Sequence, residues 1–162
     1  INKDNSLLNC RIKGFDETKP NVIIIDRNLK LKRNLDIFKN LKKRKILIIH
    51  TSNNFDKINF FKRKKLKLLK LNNLKKKKDF YTLFESLFRL GNNRILVESG
   101  LMFLNELHKY KLINDLYVFR SSKKLKINGT NNVKTYFIKN YDLANQLKVN
   151  LKDDKLFKIR MK

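Results

Sequence analysis

Arg94-Ile95-Leu96-Val97-Glu98-Ser99-Gly100-Leu101-Met102-Phe103-Leu104-Asn105-Glu106-Leu107 is the stretch on which the reading of the fold turns. An apolar triplet ends in a carboxylate, the chain bends at a glycine, and apolar residues return with helical spacing. That pattern predicts a strand, a tight turn and a helix. Ile95 to Val97 is short and wholly apolar, as expected of a central strand covered on both faces. Glu98 then falls at its carboxyl end. Ligands of open α/β sheets gather at that edge; Gly100 would let one approach the backbone, and the helix behind it would offer N–H groups to an anion. On spacing alone this competes with an ordinary strand-to-helix connection and a solvated Glu98.

Working upstream, Val22-Ile23-Ile24-Ile25 is a run of β-branched residues that favours a buried strand, with Asp26 at its end to cap the next turn or line a site. Arg33 to Lys39 suits a short helix or turn. Lys45 to Thr51 repeats the buried-strand signature, with Ser52-Asn53-Asn54 as a turn behind it. Lys65 to Leu71 fits a short third strand. Phe80, Leu83, Phe84, Leu87 and Phe88 then form one apolar stripe of a helix, with Asp79 as N-cap and Gly91 as its stop. Downstream, Asp115 to Arg120, Val133 to Lys139 and Leu156 to Met161 read as strands joined by short connections, which favours antiparallel pairing. The alternation of strands and helices before them favours parallel pairing with right-handed crossovers. The expected class is therefore α/β with a mixed, mainly parallel sheet, and no repeat or domain boundary interrupts the 162 residues.

A chain of this length, 41% hydrophobic, has material for one substantial core. It begins at Ile1 with no signal-like segment, and no apolar stretch approaches the ~18 residues a membrane helix needs. The expectation is a soluble, cytoplasmic protein and a fragment. Its one cysteine, Cys10, excludes an internal disulfide framework and suits a reducing compartment. Cys10, His50 and His108 have no spaced partners, so no metal site can be assembled locally. At its strand end His50 reads as a half-buried, hydrogen-bonded side chain.

The net charge of +26 attracts polyanions, with an affinity that falls as salt rises. Nucleic-acid binding is the rival, non-enzymatic reading. Against it, Lys and Arg are spread over almost every segment. Only short clusters occur, at Lys42-Lys43-Arg44-Lys45, Lys62-Arg63-Lys64-Lys65 and Lys75-Lys76-Lys77-Lys78, and no nucleic-acid motif accompanies them. The surplus of Lys, Asn and Ile points to a composition bias, and the charge to a solvated surface.

Val97-Glu98-Ser99-Gly100, the helix with Leu104 and Leu107 inward, and Leu112-Ile113-Asn114-Asp115-Leu116-Tyr117-Val118 together resemble a V-E-G-G, helix, G-L-V-D-E-L-hydrophobic pattern. That pattern belongs to the reductase domain of the bifunctional riboflavin-biosynthesis deaminase/reductase. Two further counterparts precede it in the same order. Asp4-Asn5-Ser6-Leu7-Leu8-Asn9-Cys10-Arg11 stands for D-D-P-x-L-T-x-R, and Asn21 to Asp26 for a strand ending in V-L-D. The resemblance implies a dihydrofolate-reductase-like three-layer fold, its central sheet flanked by helices.

It also implies an activity: reduction by NADPH of 5-amino-6-(5-phosphoribosylamino)uracil to its ribitylamino form. By the same resemblance, Asp4, Gly100, Leu101, Met102, Phe103, Leu104, Asn105 and Glu106 lie on the cofactor side, and Leu8, Arg11 and Glu98 on the side of a phosphorylated pyrimidine substrate. A planar guanidinium at Arg11 suits a phosphate, and a carboxylate at Glu98 accepts from pyrimidine N–H or sugar hydroxyls. Such a reaction needs the nicotinamide held against the sugar carbon rather than a protein nucleophile. The chain departs from the pattern at Ser6, Asn9, Arg27, Ser99 and the segment Arg120 to Leu125. Arg27 reads as a solvent-facing charge. The family's opening strand and S-L-D-G-like segment have no counterpart before Asp4, nor has the zinc-binding deaminase half. The expectation is a single reductase domain without its N-terminal part, and a homodimer is compatible with it. Another dihydrofolate-reductase-like NADPH oxidoreductase would keep the cofactor and lose Arg11 as a phosphate contact.

Overall fold

A computed structural model describes residues 1–8, 20–39, 41, 44–123, 141, 143–149 and 151–161, and the chain forms two compact units, Ile1–Gly91 and Asn92–Lys162. In the first, the apolar runs become parallel strands. These are β1 (Val22–Ile25), β2 (Ile46–His50) and β3 (Lys67–Lys70), in the order β1-β2-β3. Val22 pairs with Ile46 and Ile25 with Ile49, while His50 pairs with Lys70. Ile48 and Ile49 of the middle strand are shut off from water, and Leu29, Ile37, Phe38 and Phe61 share the buried core. The segment read as a short helix or turn holds a 3-10 turn at Asp36–Phe38.

Helix α1 (Phe55–Arg63), between β2 and β3, is a feature the sequence reading passed over. Its apolar face is narrow, since Phe61 is its one buried residue and Phe55 stands in solvent, so the helical period is faint. The start signal was present: Asn54 caps the helix by accepting from Lys57 N at 3.0 Å. Helix α2 (Lys77–Arg89) follows the expected stripe, with Phe80, Leu83 and Leu87 buried but Phe88 65% exposed. Asp79 sits inside the first turn. Its Oδ2 accepts from Lys75 N and Lys76 N, both at 2.9 Å, and these bonds hold its carboxyl below the usual range. Gly91, at φ +84°, ends the helix as expected.

The second unit holds α3 (Leu101–Lys109), β4 (Asp115–Arg120), β5 (Gln146–Leu147) and β6 (Lys155–Arg160). The strands are antiparallel, as expected, in the order β4-β6-β5. Leu116 lies opposite Ile159 and Val118 opposite Phe157, which gives the sheet one apolar face. The strand expected at Val133–Lys139 falls outside the described residues.

The central strand expected at Ile95–Val97 does not form. Ile95, Leu96 and Val97 are 36%, 78% and 37% exposed, and they make no backbone hydrogen bond among the described residues. A run of three residues gains nothing from an extended shape without a neighbouring strand to pair with. The α/β class holds, with the described parallel and antiparallel strands in two three-stranded sheets. Among the described residues no helix is long and apolar enough to cross a membrane.

Candidate functional site

The turn before α3 remains the most ligand-ready backbone in the second unit. Gly100 is the N-cap, with no side chain bonded over the helix start. Phe103 N and Leu104 N donate to Gly100 O at 3.1 and 3.2 Å, whereas Leu101 N and Met102 N have no partner among the described residues. A Cβ built on Gly100 meets no atom of the described residues within 4 Å. Free donors at the positive end of a helix attract an anion.

Glu98, two residues earlier, is exposed. On the helix itself, Asn105 Oδ1 is buried without a hydrogen-bond partner among the described residues, an acceptor withdrawn from water. Glu106 is committed elsewhere: Tyr110 donates its hydroxyl proton to it, and that bond pushes the Tyr110 pKa up. Met102 is 76% exposed, while Leu107 is buried. Of the seven expected cofactor-side residues from Gly100 to Glu106, then, the first three have backbone or surface free, and Asn105 offers a side-chain acceptor.

In the first unit the carboxyl ends of the parallel strands carry a polar row. The register sets His50 beside Lys70 and, one step past Ile25, beside Asp26. Asp26 caps its turn, accepting from Leu31 N at 2.7 Å. A cavity of about 300 Å³ opens at this end, lined by Ile1, Asn2, Ile24, Ile25, Asp26 and Leu31. Arg27 is exposed, and its carbonyl accepts from Thr51 N at 3.0 Å.

His50 is 2% exposed, more deeply buried than expected, with Nδ1 3.1 Å from Ser52 O. Burial, helped by the charge of Lys70, lowers its pKa from the ordinary 6.5, with the Ser52 carbonyl and Asp26 opposing. The unfolded chain therefore takes up the proton first as pH falls. Stability is full above about pH 6.5 and is lost as pH drops toward the lower folded value. His50→Gln is expected to remove this component. Urea midpoints of the two proteins will converge as pH falls from neutral toward about 5.5, and parallel curves would remove His50 as the cause.

Asp4 and Leu8 also belong to the first unit. Asp4 is exposed, in a turn where Asn5 N donates to Ile1 O at 2.9 Å. Leu8 is partly buried against the core, and its carbonyl accepts from Arg44 Nη1 at 2.9 Å while Leu7 O accepts from Nη2. Arg44 is only 6% exposed, and burial lowers its pKa. It is thus not the solvated charge expected of its basic cluster. One guanidinium holding two consecutive carbonyls is a long-range contact that Lys42-Lys43-Arg44-Lys45 does not announce. Arg11 lies outside the described residues. Among the described residues no group of three His, Cys, Asp or Glu could hold a metal ion.

Parallel strands with an intervening helix, an antiparallel trio and an open glycine at a helix start agree with the dihydrofolate-reductase-like α/β fold that the resemblance implies. Residues 1–160 match the family model described as the RibD C-terminal domain, and the chain belongs to that family. The family is a riboflavin-biosynthesis reductase family, in agreement with the three ordered motif matches. A solved structure, "Acinetobacter baumannii RibD, form 1", is similar with a TM-score of 0.67 and 16% sequence identity. The similarity covers 97% of this chain and 43% of that one, so this chain spans less than half of its length. No curated protein matches this chain in sequence.

Proposed function

We propose that this chain acts in riboflavin biosynthesis by binding NADPH at the start of α3 and reducing 5-amino-6-(5-phosphoribosylamino)uracil to its ribitylamino form. The observation that carries the reading is Gly100, a helix start without a side-chain cap whose first two N–H groups have no partner among the described residues. A diphosphate suits those donors, and Asn105 Oδ1 suits a donor such as an amide N–H. NADPH, when bound, supplies the hydride. Glu98 accepts hydrogen bonds from the pyrimidine or sugar and orients it; Arg11, by its motif position, takes the phosphate. By motif position alone, Leu8 is assigned to the substrate and Asp4 to the cofactor.

Titration with NADPH at two salt concentrations tests the reading, followed by turnover of the phosphoribosylamino substrate read as loss of nicotinamide absorbance. Saturable binding preferred over NADH, with turnover, is the expected result. NADPH competing no better than a mixed-sequence oligonucleotide, both equally salt-sensitive, would favour the basic nucleic-acid-binding alternative suggested by the +26 charge. Asn105→Ala should separate binding from folding. It removes a buried amide oxygen that has no partner among the described residues, so stability should rise by about 1 kcal/mol, while NADPH affinity falls roughly tenfold. Calorimetry and binding on the same variant check both signs.

A further inference from the structure

Lys45 is exposed, whereas Arg44 beside it is buried and directs two of its donors at backbone far away in sequence. Nη1 donates to Leu8 O at 2.9 Å and Nη2 to Leu7 O. A planar guanidinium holds two consecutive carbonyls in one fixed orientation; the single nitrogen of a lysine, on a flexible stem, does not. Leu8 itself has φ +49°, in the left-handed region that a leucine adopts only where its surroundings impose it. Two further ties hold the residues before it. Asn2 donates to Lys30 O at 2.9 Å and accepts from Lys32 N at 3.0 Å, while Asn5 accepts from Asp36 N at 2.9 Å and donates to Asp36 Oδ2 at 2.6 Å. Arg44 is the tie at the end that carries Leu8.

We infer that Arg44 is a positioning residue: without touching the substrate, it sets the Leu7–Leu8 backbone in the shape that receives the phosphorylated pyrimidine. The inference deepens the proposed function and rests on it, because Leu8 is assigned to the substrate by motif position. Stability alone is a poor reason for this arginine. A guanidinium is costly to withdraw from water, and an apolar side chain of similar volume in such a place commonly serves folding as well. Position is a better one, since a displacement of about an ångström in a binding segment is enough to weaken substrate contacts.

Steady-state kinetics of Arg44→Met test it. Methionine keeps much of the apolar stem and removes both the buried charge and the fork. The KM for the phosphoribosylamino substrate is expected to rise at least about tenfold, with kcat and the KM for NADPH within about twofold of the parent. The ties at Asn2 and Asn5 remain in the variant, so the Asp4 end of the segment keeps its place. The carbonyl carbon resonances of Leu7 and Leu8 should move, which reports loss of the clamp directly. Arg44→Lys, which keeps the charge but not the fork, answers the same question should the methionine variant not fold. A folded variant with the parent's substrate KM overturns the inference, as do unmoved Leu7 and Leu8 resonances. An equal loss in all three kinetic parameters also overturns it, because a merely structural role would produce that. Failure of both variants to fold does the same, by making Arg44 a residue of the core. A parent protein that neither binds NADPH nor turns over is a separate result: it sinks the proposed function and takes the inference with it.

Discussion

Phe61→Ala is expected to lower the stability of the first unit by about 3–5 kcal/mol, a large part of the 5–15 kcal/mol typical of a domain. Phe61 is 1% exposed and belongs to the cluster that includes Ile24, Ile37, Phe38 and Ile48. Its ring lies 5.9 Å from that of Phe38, tilted, and 5.4 Å from that of Phe60, edge to face. Truncation would forfeit these contacts and open a void that the β1-β2-β3 sheet cannot close without shifting strands. It would also strip α1 of its one fully buried side chain. Phe55→Ala is the control: the same residue type on the same helix, but 76% exposed, with an expected change within about 0.5 kcal/mol. Urea unfolding followed by far-UV circular dichroism measures both. Equal midpoints for the two variants would mean that α1 does not pack as described.

That helix also shows where the sequence stops being legible. Runs such as Val22–Ile25 and Ile46–His50 declare themselves because burial on two faces leaves no room for charge, and the stripe of α2 does so by repetition. In α1 a single buried Phe61 among Lys57, Lys62 and Arg63 carries the packing, so tertiary contact decides what periodicity leaves faint. The opposite error arose at Ile95–Val97. Its apolar composition signals a covered strand, yet Leu96 is 78% exposed and the run makes no backbone hydrogen bond among the described residues. Composition reports what a segment requires of its surroundings; whether a given stretch of polypeptide supplies them is a separate matter. Of the candidate site, the open Gly100 turn follows from local sequence, because backbone geometry at a helix start is a local property. The grip of Arg44 on Leu7 and Leu8 spans 37 and 36 residues and has no local signature. Asn105 was included through its motif position alone. Its unpaired Oδ1 is visible only once the helix is packed.

Gly100→Val is expected to weaken NADPH binding by about 2–4 kcal/mol, roughly 30- to 1,000-fold, while leaving folding intact. Gly100 has φ −67° and ψ 157°, extended backbone that a β-branched residue adopts without strain, and an added Cβ meets nothing within 4 Å. The free protein therefore loses at most the small difference between glycine and valine at an uncapped helix start. In a complex the isopropyl group would stand over the N–H groups of Leu101 and Met102, pushing a diphosphate beyond hydrogen-bond reach. Gly91→Ala gives the converse. Its φ of +84° strains any side chain, so it should cost about 1 kcal/mol of stability and leave NADPH affinity unchanged. Thermal unfolding and NADPH titration of the two variants form a two-by-two comparison with opposite signs. A Gly100→Val protein that binds NADPH as tightly as the parent would move the cofactor away from α3, and the proposed assignment of Gly100 to Glu106 would go with it.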